Sequence, residues 1–88
     1  MSDRIPRIRA AIRQHLETED IAIRDDSHLH AGHAGAKTGL GHYHVTVRSA
    51  HFDGTSLIAR HRMIYSALGD LMQTDIHALS IRALSSDE

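Results

Sequence analysis

The sequence predicts a small α+β fold: a three-stranded sheet packed with helices, in the order α-β-β-α-α-β. Apolar residues recur at helical spacing near the start of the chain and again over residues 55–72. Short apolar–polar alternations stand at residues 21–24, 43–48 and 79–83, the period of half-buried strands. The third observation is length: 88 residues, 41% of them apolar, support one core, so the helices must cover the sheet. Residues 1–88 are therefore read as a single domain.

The first helix carries Ile5, Ile8, Ile12 and Leu16 on one stripe, with Arg4, Arg7, Arg9 and Arg13 mostly elsewhere. Ser2 or Asp3 would cap it, and Pro6 is tolerated because it lies in the first turn. Ile21 and Ile23 alternate with Ala22 and Arg24 as a short strand, which Asp25-Asp26-Ser27 ends. Residues 26–41 have no period and read as a long, flexible loop, a length usually functional or disordered. In the next strand Tyr43, Val45 and Val47 face one way and His44, Thr46 and Arg48 the other. Asp53-Gly54 is a turn signal. The second helical stretch runs through Leu57, Ile58, Ile64, Leu68 and Leu71, with Thr55 or Ser56 as its cap; the pattern allows, without forcing, a break near Ala59-Arg60 into a short turn and a longer helix. Leu79, Ile81 and Ala83 form the last strand, and residues 85–88 read as a polar tail.

Composition excludes several function classes. With no cysteine the chain has no disulfide, no thiol nucleophile and no thiolate metal ligand. No Gly-x-Ser-x-Gly elbow and no His-Glu-x-x-His motif is present, and the carboxylates fall in solvated loop positions, so the chain reads as a binding protein rather than an enzyme. No apolar run approaches the ~20 residues of a membrane span, and residues 1–10 lack a signal-peptide pattern; the expectation is a cytoplasmic protein. Ten basic and eleven acidic residues nearly cancel, which disfavours general attraction to nucleic acid.

Histidine is the departure, nine copies in the chain. Neutral imidazole suits iron, zinc, copper and nickel, and a long loop could carry His30 to a second ligand. For His42, His44 and His51 the plainer reading is an exposed strand face, and for His15 a solvated helix side. His77 has the parity of core-facing Leu79 and Ile81, so it is expected to point to the buried side of the sheet at its rim. There it is either hydrogen-bonded packing or a ligand held on a strand, which fixes ligands better than a loop does. Arg60-His61-Arg62 at the start of a helix after a shorter turn suggests a helix-turn-helix, a basic face that competes with a plain solvated one. Gly32 to Thr38 misses a phosphate-binding loop by one residue.

Together these segments resemble the BolA family. The matching pieces are Asp25-Asp26-Ser27-His28-Leu29-His30-Ala31-Gly32-His33 and His42-Tyr43-His44-Val45-Thr46-Val47. They continue through Phe52-Asp53-Gly54, Arg60-His61-Arg62-Met63-Ile64-Tyr65 and Ile76-His77-Ala78-Leu79-Ser80-Ile81. The resemblance implies a class II KH-like fold. It also implies partnership with monothiol glutaredoxins of the Cys-Gly-Phe-Ser type, sharing a two-iron, two-sulfur cluster. His77 and His30 match the family's cluster-ligand positions, and the extra loop histidines His28 and His33 are alternates. A chain without cysteine cannot hold such a cluster in the all-thiolate way, but a partner thiol and glutathione could bind one iron and two histidines the other. No cofactor is then expected in the isolated chain, which would be a monomer or weak homodimer. The family's alternative role is DNA binding in transcriptional control, for which Arg60, His61, Arg62, Arg48 and Lys37 are the candidates. Tyr43 departs from the family's more frequent phenylalanine.

Overall fold

The computed structural model describes residues 4–26 and 41–88. The expected order holds: α1 (Arg4–Leu16), β1 (Ile21–Asp25), β2 (Gly41–Arg48), α2 (Leu57–Leu68), α3 (Leu71–Thr74) and β3 (Ile76–Leu84), with a 3₁₀ turn at Ala50–Phe52. Strand β2 is central, antiparallel to β1 and parallel to β3. Parallel pairing requires a crossover, and α2 and α3 supply it. The three-stranded α+β architecture read from the pattern is the one observed.

Ile8, Ile12 and Leu16 of α1 are buried against Tyr43, Val45 and Val47 of β2 and Ile64 and Leu68 of α2. Phe52, from the 3₁₀ turn, joins this core at 0% exposure. The β2 alternation is thus translated directly into burial.

Helix α2 differs from expectation in two ways. It is continuous through Ala59 and Arg60, because Ser56 caps it: the Ser56 hydroxyl accepts from the Ala59 N–H at 3.1 Å. The break falls at Gly69, whose φ of 52° and ψ of −125° no other residue adopts easily. Leu57 and Ile58, expected on the apolar stripe, are 65% and 67% exposed, because they belong to the first turn. The buried face is instead Arg60, Ile64, Ala67 and Leu68.

The expected polar tail is tied down. Glu88 Oε1 accepts from Arg60 Nη1 at 2.6 Å and from the Ser85 N–H at 2.8 Å. Its backbone carbonyl accepts from Arg48 Nη2 at 2.6 Å. Asp53 accepts from the N–H and hydroxyl of Ser86, both at 2.8 Å. Hydrogen bonds from Ser85 and then Arg60 hold the Glu88 carboxyl at about 2, below its ordinary 4.5. Asp53 is lowered by its bonds from Ser86. A depressed carboxylate contributes stability that is fully present above its unfolded value and is lost as pH falls through its folded one. The clasp is therefore expected to weaken as pH drops from 4.5 towards about 2. Urea midpoints at about pH 6 and about pH 3 should differ less in Glu88→Gln than in the wild type.

Candidate metal-ligand site at the sheet end

His77 is exposed, not turned to the core as its parity suggested. The reason is a β-bulge. Gly41 pairs with Ile76, but His42 pairs with Ala78, so His77 is the extra residue and the alternation changes phase across it. Ile76 takes the buried position, at 2% exposure, and Leu79, Ile81 and Ala83 resume the inner face beyond the bulge.

His42 also departs from expectation: it lies on the outward side of β2 but is only 9% exposed. Its ring packs against that of His77, centroids 4.9 Å apart and planes inclined by 57°, within the range of tilted aromatic pairs. His44 and Thr46 follow on the same face, half-buried, with Thr46 Oγ1 and His44 Nε2 3.5 Å apart. A cavity of about 150 Å³ beside the pair is lined by Asp26, His42, Tyr43, Ala78 and Ser80.

Two backbone hydrogen bonds and two ion pairs fix this end of the sheet. The Asp26 N–H donates to the His42 carbonyl at 2.8 Å, and the Gly41 N–H to the Asp75 carbonyl at 3.0 Å. The buried Asp75 carboxylate pairs with Arg7 and, at 3.5 Å, with Arg4, linking α1 to the residue before β3. Asp26 and Gly41, the described residues on either side of segment 27–40, are therefore both held at the end of the sheet that carries the His42–His77 pair. His28, His30, His33 and Lys37, and the caps proposed at Ser2 or Asp3, lie outside the described residues. Among the described residues no group of three or more histidines or carboxylates is arranged to hold a metal.

Gly41 leaves room for its neighbour on the same strand. A Cβ there would land on the Tyr43 ring and 2.6 Å from its hydroxyl oxygen. Gly41→Ala is expected to cost about 1–3 kcal/mol by displacing that ring. In a Tyr43→Val background the same change should cost much less, which paired urea denaturation curves would read.

The basic candidates are dispersed. Arg60 is 9% exposed and its guanidinium is engaged internally: Nη1 reaches the Ala83 carbonyl at 3.1 Å as well as Glu88, and Nε reaches the Thr55 carbonyl at 3.3 Å. A contact to DNA expected of Arg60 is corrected by this burial. Arg48 is bonded to Asp20 at 3.1 Å as well as to the tail. His61 is half-buried, and exposed Arg62 lines a hollow of about 320 Å³ with His15, Leu16, His51, Met63, Ser66 and Ala67. The expected turn before Arg60 is absent, so α2 is one helix and not the second half of a helix-turn-helix. Sequence reasoning missed His42 and Asp75; the adjacency of His42 to the loop end was visible, the bulge was not.

The family model for BolA-like proteins matches residues 12–88. The chain belongs to the BolA family. BolA1 of Arabidopsis thaliana chloroplasts is 36% identical over the whole of this chain, which spans 57% of that relative's length. SufE-like protein 1 of the same plant, chloroplastic/mitochondrial, is 37% identical over 93% of the chain and 24% of its own length. The DNA-binding transcriptional regulator BolA of Escherichia coli (strain K12) is 32% identical over 93% of the chain and 75% of its own. Among solved structures, the BolA domain of Arabidopsis SufE1 superposes with a TM-score of 0.84 at 36% identity, covering 99% of this chain and 96% of that one. The BolA fold thus accounts for the sheet and its crossover. Among the described residues, no helix is long and apolar enough to cross a membrane.

Proposed function

We propose that this BolA-family chain acts as the partner of a monothiol glutaredoxin of the Cys-Gly-Phe-Ser type, binding or handing on a two-iron, two-sulfur cluster in iron homeostasis. His77 is one ligand. A histidine of segment 27–40 is the other, His30 first, with His28 and His33 as alternates. The glutaredoxin cysteine and the thiol of glutathione hold the second iron. The observation that carries this reading is the placement of His77: an exposed imidazole on a bulge, at the sheet end where both ends of the histidine-rich segment are anchored.

The donor chemistry supports it. With no cysteine, this chain offers imidazole but no thiolate, so a cluster needs a thiol-bearing partner. The fusion of a BolA domain to a SufE-like protein in the Arabidopsis relative points in the same direction, towards iron–sulfur handling.

DNA binding is the second reading, favoured by the name of the Escherichia coli relative. It is weakened by the burial of Arg60 and the tethering of Arg48, which leave His61, Arg62 and Lys37 as its candidates.

Anaerobic reconstitution with a monothiol glutaredoxin and glutathione tests the first reading, followed by size-exclusion chromatography and visible circular dichroism. A mixed complex with a spectrum distinct from that of the glutaredoxin alone is the expected result. If the two proteins stay apart, the cluster reading fails. Salt-dependent binding to duplex DNA, lost in Arg62→Ala, would then support the second.

A further inference from the structure

His77 is the residue the bulge inserts, and its freedom is unusual for a ligand. Metal-binding histidines are commonly oriented by a hydrogen bond from the second ring nitrogen to a carbonyl or carboxylate. Among the described residues the His77 ring makes no hydrogen bond and no ion pair; its contact is with the ring of His42. His42 is well suited to be the fixed member of the pair. It lies on the central strand, its carbonyl is bonded to the Asp26 N–H, and its side chain is buried where that of His77 is exposed.

The register explains how the two rings meet. Ala78 stands opposite His42 and offers only a methyl group. The bulge swings His77 out of the core-facing parity and alongside that small residue, where its ring can lie against the imidazole of His42.

We infer that His42 is a positioning residue for His77: its buried ring, 4.9 Å away and tilted by 57°, holds the exposed imidazole in the orientation in which it meets a metal. The inference rests on the cluster reading for its purpose. The contact itself is a property of the free chain. It is the ring at position 42 that acts, by shape and packing, and not its nitrogens. Groups that orient a ligand from behind are worth about 10–100-fold in metal affinity, and a packing contact belongs at the lower end of that range.

His42→Ala and His42→Phe separate the possibilities, with a backbone amide spectrum confirming that each variant is folded. In the free chain, side-chain NMR couplings and ring relaxation of His77 should show a single rotamer in the wild type and in His42→Phe, and averaging in His42→Ala. In the mixed complex, His42→Ala should lose the cluster about tenfold faster and shift its visible circular dichroism, and His42→Phe should restore both. Wild-type order of His77 in His42→Ala overturns the inference. So does a His42→Phe variant as impaired as His42→Ala, which would make the imidazole nitrogens of His42 the working atoms. If the wild type forms no mixed complex, the cluster reading falls by itself, and the free-chain measurement still decides whether His42 orients His77.

Discussion

Replacing His77 by alanine is expected to abolish the characteristic spectrum of the mixed cluster complex while leaving the fold intact. Both halves of that expectation come from the bulge. The side chain is exposed and outside the core, so its removal should change stability by no more than about 0.5 kcal/mol. As a cluster ligand its loss should lower the retention of the cluster by about 100-fold or more, since even groups behind a ligand are worth 10–100-fold. Cluster lifetime under a competing chelator would measure the effect, with thermal unfolding of the free chain as the control. His15→Ala should leave the lifetime unchanged, because that ring is exposed on α1 and bonded to the Ala11 carbonyl at 2.9 Å. His28→Ala, His30→Ala and His33→Ala, made singly, identify the second ligand as the one that reproduces the His77→Ala loss. A lifetime unaltered in His77→Ala would overturn the assignment of the ligand.

Phe52→Ala is expected to be the most damaging single truncation in the core, at about 3–5 kcal/mol. Phe52 is the one phenylalanine in the chain and is fully buried. It is also the hinge of the connection between β2 and α2: its N–H donates to the Ser49 carbonyl at 3.1 Å, and its own carbonyl accepts from the Thr55 hydroxyl at 2.7 Å. A turn pinned at both sides cannot slump far into the vacated space, so most of the cavity should persist. A domain of this length has only about 4–13 kcal/mol of total stability, and the variant should unfold at a much lower urea midpoint. Leu57→Ala, at a residue 65% exposed, is the matched control and should shift that midpoint very little. Equal midpoints for the two variants would contradict the burial on which the prediction stands.

What the sequence made legible was whatever depends on neighbours along the chain. The stripe Ile8, Ile12 and Leu16 and the alternation Tyr43, Val45 and Val47 are periodic, and periodicity is local; both are buried as read. The Ser56 cap is equally local, and it also explains why no break occurs at Ala59–Arg60. The misreadings of Arg60, the tail, His77 and His42 all concern partners far away in sequence. Arg60 reads as a solvated helix residue until Ala83 and Glu88 close over it, and the tail reads as loose until Arg48, Asp53 and Arg60 bind it. The direction of His77 is misread from the pattern, because one inserted residue reverses the parity on which that reading depends. His42 reads as a solvated strand histidine for the same reason: only the register between β2 and β3 brings the two rings together.

The parallel pairing of β2 with β3 also sets an order of events. Strand β1 can find β2 as its antiparallel neighbour, but the other edge of β2 stays open until the chain has passed through two helices and reached Ile76. Such non-local pairing is the slow part of folding, and on a ribosome it must also come late. A chain still short of β3 already contains His28, His30, His33 and His42, yet lacks the imidazole that His42 faces. Half-made copies thus lack the His42–His77 pair, which arrives only with the final strand of the sheet.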